Sequence, residues 1–110
     1  MLIVAHELFL RTEDGETVIA IRIFKPEEQE KVWACRYEIE WPEGARVFSA
    51  IGFDSLQALV LALQMIGAEI YSSAYHREGR LRAYANEKGY GFPVATSLRD
   101  LLVGADKVAM

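Results

Sequence analysis

The chain has 110 residues, a formal net charge of -4 and a pI near 5.2, with 52% hydrophobic and 25% charged residues. That length supports one domain built on one core, and the apolar share excludes a disordered chain. The acidic balance excludes a general attraction to nucleic acid or anionic lipid, whose phosphates demand a surplus of Lys and Arg.

The single cysteine, Cys35, cannot form an internal disulfide, so the expected fold rests on packing and suits a reducing compartment, the cytoplasm by default. The first ten residues, MLIVAHELFL, are apolar but have no basic leader and meet His6 and Glu7 early, so they read as a strand. Residues 2–11 place Ile3, Ala5 and Phe9 on one face and Leu2, Val4, Leu8 and Leu10 on the other, and EDG at 13–15 supplies a turn. Residues 16–25 put Ile19, Ile21 and Ile23 on one face, a β-branched pattern suited to a half-buried sheet. Pro26 and the acidic EEQE then predict a solvated loop.

Residues 31–41 carry the clearest alternation. Trp33, Cys35, Tyr37, Ile39 and Trp41 share an apolar face, against Ala34, Arg36, Glu38 and Glu40 on a face that meets water. PEG at 42–44 turns the chain into a fourth strand over 45–53. Short turns between alternating runs predict an antiparallel meander, since a parallel sheet would need crossover helices.

At Ser55 the period changes to 3.6. A helix over residues 55–76 gathers Leu56, Leu59, Val60, Leu63, Ile66, Gly67 and Ile70 on one stripe, expected to lie on the sheet. Ala58, Leu61, Met65 and Ala68 form a second stripe on its back. A helix apolar on both sides needs two covers, either the C-terminal arm with its YGFPV and LRDLL segments or a second copy of the chain. The expectation is a homodimer. The longest apolar run, 58–63, is too short to span a bilayer, so no membrane segment is expected. Beyond Gly79 the pattern weakens to loop with a short strand near 81–84, and Ser97 caps a short helix over 97–103. The fold class is therefore α+β: about four strands in meander order, one long helix, and a C-terminal arm within a single domain 1–110.

Two resemblances bear on function. The segment GFDSLQALVLAL resembles the serine loop and second helix of acyl carrier proteins, which implies a phosphopantetheine arm on Ser55. Those proteins are helical bundles, however, whereas here some fifty residues of strand pattern precede the serine. Asp54 as an N-cap accounts for the same letters, because its carboxylate accepts from a free amide of the first turn. Over the whole chain, CRYEIEWPEG, DSLQALVLALQMIGAEIY, GYGFPV and SLRDLLVG resemble a family of small bacterial proteins classed as a domain of unknown function. That resemblance implies a bacterial, cytoplasmic, single-domain protein and assigns no catalytic residue.

Other candidates are sparse. The two histidines, His6 and His76, sit in no metal-ligand spacing, and no cofactor is expected. Cys35 falls on an apolar strand face, where a thiol behaves as a small hydrophobe. Glu38 and Glu40 face the same way, a pairing that general acid and base work would need but that a solvated strand face also produces. KGYGFP lacks the lysine and the flanking strand and helix of a phosphate loop. The segment YHREGRLR gathers His76, Arg77, Arg80 and Arg82 against one acid, and so offers either a complement to the helix end or a small-anion site. The functional expectation is a non-enzymatic interaction or accessory module. A small-anion or small-molecule binder and a Ser55 carrier are the alternatives.

Overall fold

The computed structural model describes residues 1–83 and 89–92. Among the described residues six strands form one sheet: β1 (Leu2–Thr12), β2 (Gly15–Phe24), β3 (Glu27–Gln29), β4 (Val32–Trp41), β5 (Gly44–Gly52) and β6 (Leu81–Arg82). Every pairing is antiparallel. The meander β1–β2–β4–β5 is present, and the count exceeds the four strands expected because two short strands join it.

One addition is β3, where a solvated loop was expected. β2 pairs with Tyr37–Ile39 of β4, and β3 pairs with Val32–Ala34. Because β5 occupies the whole opposite edge of β4, β2 and β3 share one edge and behave as a single strand interrupted at Lys25 and Pro26. Pro26 has no N–H to give the ladder, so the break falls there and pairing resumes beyond it. The second addition is β6, which pairs with Phe9 and Leu10 of β1. It occupies part of the short strand expected over 81–84.

The helix-side face of the sheet carries Leu8, Leu10, Ile19, Ile21, Ile23, Cys35, Tyr37 and Ile39, all buried. Helix α1 (Ser55–Ser72) lies across β4 and β5, and the short α2 (Ala74–Arg77) follows it. A single helix over 55–76 was expected. The chain breaks at Ser73, whose backbone is extended and whose hydroxyl caps α2 at the His76 amide, while the Ser72 hydroxyl donates to the Ala68 carbonyl. Two adjacent hydroxyls that bond backbone groups locally compete with helix continuation. Gly79, with φ of 69°, then turns the chain toward β6.

The rotation of α1 differs in part from the expected one. Ile66, Gly67 and Ile70 are buried and Leu59 and Leu63 pack against the core as expected, but Ala58, Ala62 and Tyr71 join the buried side while Leu56, 68% exposed, and Val60 are open to solvent. Ala58 therefore faces the sheet and does not belong to a back stripe. The cause is distance: at Gly52 the helix backbone comes so close to β5 that only small side chains fit between them. By length and composition α1 meets the minimum for a bilayer span, as many core helices do, and here its buried line packs on the sheet.

Beside α1, residues 89–92 lie against the β1 half of the sheet. Tyr90 and Phe92 are buried there and line a small apolar cavity with Val4, His6, Ile23 and Leu63. The short helix expected over 97–103 lies outside the described residues, as does Tyr84.

Candidate interaction surface

The sequence-derived basic cluster does not converge. His76 Nδ1 lies 2.7 Å from the Tyr90 hydroxyl, and Arg77 donates to the Ser72 carbonyl at 2.6 Å. Arg80 donates to the Arg11 carbonyl and to Glu78, and Arg82 forms a two-pronged bond with Glu16, at 2.9 and 2.8 Å. Each arginine thus has an acceptor within the chain. The Glu16 carboxyl is held below its usual range by the hydrogen bond from Arg82, and burial pushes the His76 imidazole down.

Both histidines meet one residue. His6 Nε2 lies 3.1 Å from the Tyr90 carbonyl oxygen, which can only accept, so this nitrogen carries the proton. Tyr71, His76 and Tyr90 pack edge-on or tilted around one another, with ring centroids 4.8–5.6 Å apart. Sequence reading treated the two histidines as unrelated, and their separation along the chain gave no signal otherwise.

On the outer face, Arg22 donates to Glu38 and to Glu40. The two carboxylates that shared a face are thus bridged by a cation from β2. Cys35 is fully buried, its thiol 3.3 Å from the Phe24 carbonyl oxygen, and burial raises it above the usual thiol range. Ser55 occupies the first position of α1 after Asp54, whose carboxylate accepts from the Gln57 amide at 2.7 Å. The Gln57 side chain returns a bond to the Phe53 amide at 2.6 Å, a reciprocal cap that the sequence reading missed in Asp54-x-x-Gln57. Among the described residues no group of three or more His, Cys, Asp or Glu could hold a metal ion.

Two surface features bear on binding. A cleft of about 360 Å³ at the carboxyl end of α1 is lined by Trp41, Glu43, Glu69, Tyr75, Glu78 and Arg80. Trp41 and Tyr75 stack at 5.5 Å, and the Tyr75 hydroxyl donates to Glu43, which raises the phenol above its usual range. Glu69 is shared between Arg46 and the hydroxyl of Tyr37, a phenol raised first by burial and then by that bond.

The other feature is β5. It pairs with β4 alone, so among the described residues its outer edge is open. Val47 and Ile51 on the outer face and Phe48 on the helix side are all about half exposed, and Arg46 is the only charged residue in the strand. On α1, whose Glu69 pairs with Arg46 of this strand, Leu61, Met65 and Ala68 are half-buried, Leu61 and Met65 packing in part against the core. A signal for this existed in ARVFSAIGF, which is apolar at both parities.

A family model described as a domain of unknown function, DUF6968, matches residues 4–94. The chain belongs to the DUF6968 family. No curated protein and no solved structure matches it. The matched span takes in all of β2 through β6, both helices and residues 89–92, so the open edge and the cleft are parts of the DUF6968 domain itself.

Proposed function

We propose that this DUF6968 chain is a bacterial, cytoplasmic, non-enzymatic interaction module that works as a homodimer. The observation that supports this reading is the half-exposed apolar surface of β5 running up to Leu61, Met65 and Ala68. The described arm residues Tyr90 and Phe92 cover the other flank of α1, beside Leu63 and Tyr71, and leave this one without them. An apolar surface next to an open strand edge favours association. Light scattering at micromolar concentration tests it: the expected mass is twice 12.4 kDa. Leu61→Glu combined with Met65→Glu should give a folded monomer. A monomeric wild type, with unfolding of the double variant, would show that the stripe is core.

A second reading, a small-molecule binder at the 75–82 segment, is favoured by the cleft. Its stacked Trp41 and Tyr75 offer a flat wall, and three carboxylates outnumber Arg80, which selects a neutral or cationic ring over a phosphate. Titration with a benzylammonium and with phosphate, followed by amide NMR, distinguishes the two. Shifts at residues 73–80 with the ammonium alone support this reading. Shifts with phosphate at His76, Arg77, Arg80 and Arg82 would support the anion site instead.

A further inference from the structure

We propose that two copies of the chain join β5 to β5 in antiparallel fashion about a two-fold axis at Ser49, making one continuous sheet across the dimer. This rests on the homodimer reading and specifies its interface. Alternate residues of β5 turn their N–H and C=O groups away from β4, and among the described residues no strand receives them. A nine-residue edge with one charge has few of the devices that keep edges apart, such as lysines, prolines or bulges. The edge of a second copy satisfies those groups and is self-complementary by symmetry.

The register follows from the faces. A two-fold axis perpendicular to the sheet keeps each side chain on its own face, so residue 49 can oppose residue 49, 47 or 51 of the other copy but not 48 or 50. Centring on Ser49 places Val47 opposite Ile51 of the second copy twice, once on each side of the axis. These are the β-branched residues that β5 leaves exposed on that face, at 51% and 52%. Centring on Phe48 or Ala50 would spend each of them on a smaller or polar partner or on the strand end. With the axis at Ser49 the sole charge, Arg46, opposes Gly52 and stays clear of its own copy.

The helices fit the same axis. α1 lies over β4 and β5, and strands repeat at about 4.8 Å, so the two copies of α1 would run roughly 10 Å apart, a normal helix-packing distance. Gly52 lies under Ala58, and three strand residues cover about 10 Å, or about seven helix residues. The axis through Ser49 therefore passes beside Met65. Leu61 of one copy then faces Ala68 of the other, a large side chain against a small one.

The test is a cross-link. Ser49→Cys places two thiols opposite each other on the axis, within the Cα separation that a disulfide spans. Mild oxidation of the folded protein should give a covalent dimer in high yield. Wild type, whose Cys35 is buried, and Val18→Cys, exposed on the same face two strands away, should not cross-link. Val47→Lys with Ile51→Lys, both on exposed positions, should leave a folded monomer by circular dichroism and light scattering. A wild-type dimer that neither cross-links through Cys at 49 nor responds to the lysines would overturn this interface and leave the homodimer reading standing. A wild-type monomer would overturn both.

Discussion

Gly52 lies so close beneath α1 that a Cβ at this position would sit 2.5 Å from the Ala58 amide nitrogen. Its other near neighbours are the Ala58 Cα and the Gln57 carbonyl carbon, each at 3.0 Å. All of these are backbone atoms, which cannot swing aside as a side chain can. Gly52→Ala must push the helix off the sheet, and overpacking of this kind costs about 1–3 kcal/mol. Urea denaturation should show a fall of that size. An unchanged midpoint would mean that α1 is free to slide on β5.

The same closeness explains why part of the face of α1 was misread while the inward faces of β2 and β4 were not. Strand positions follow from a period of two, and Trp33 to Trp41 or Ile19 to Ile23 can point inward only on alternate residues. A helical projection ranks sides by how greasy they are, and Leu56 and Val60 outweigh Ala58 and Ala62. The sheet selects by size instead, because Gly52 and Ala50 admit only a small-faced helix at that end. Apolar residues at both parities marked 45–53 as unusual, but not as an open edge, because which strand ends a sheet depends on pairings made far away in sequence. The meeting of both histidines at Tyr90 is likewise set by folding, across 84 and 14 residues.

A pair of substitutions separates the two rotations of α1. Leu56 is mostly exposed, so Leu56→Ser should change stability by no more than about 0.5 kcal/mol. Ala62 is fully buried against the sheet, and Ala62→Leu should cost about 1–3 kcal/mol. Thermal or urea unfolding of both variants checks the order. The reverse order would restore Leu56 to the core.

Asp54 and Ser55 divide the cap from the carrier motif. Asp54→Ala removes the acceptor for the Gln57 amide and should destabilise by about 1 kcal/mol. Ser55→Ala leaves the Asp54–Gln57 cap bond in place and should be close to neutral. Co-expression with a broad-specificity phosphopantetheinyl transferase should leave the intact mass unchanged. A stoichiometric adduct mapped to Ser55 would make the protein a carrier on an unexpected scaffold.

His76 gives the fold a pH dependence of definite sign. Burial against Tyr71 and Tyr90 disfavours the imidazolium, so its folded pKa lies below the unfolded value. An unfolded chain then takes up a proton more readily than the folded one as pH falls. The stability associated with neutral His76 is complete above the unfolded value of about 6.5 and is lost as pH drops through the depressed folded value. Wild type should therefore be less stable to urea at about pH 5 than at about pH 7.5, by more than a His76→Gln variant is over the same interval. The comparison isolates His76, because His6 and every carboxylate are common to both proteins. Equal pH dependence in the two would mean that the imidazole titrates alike in the folded and unfolded chains, and that the ring is not held neutral between Tyr71 and Tyr90.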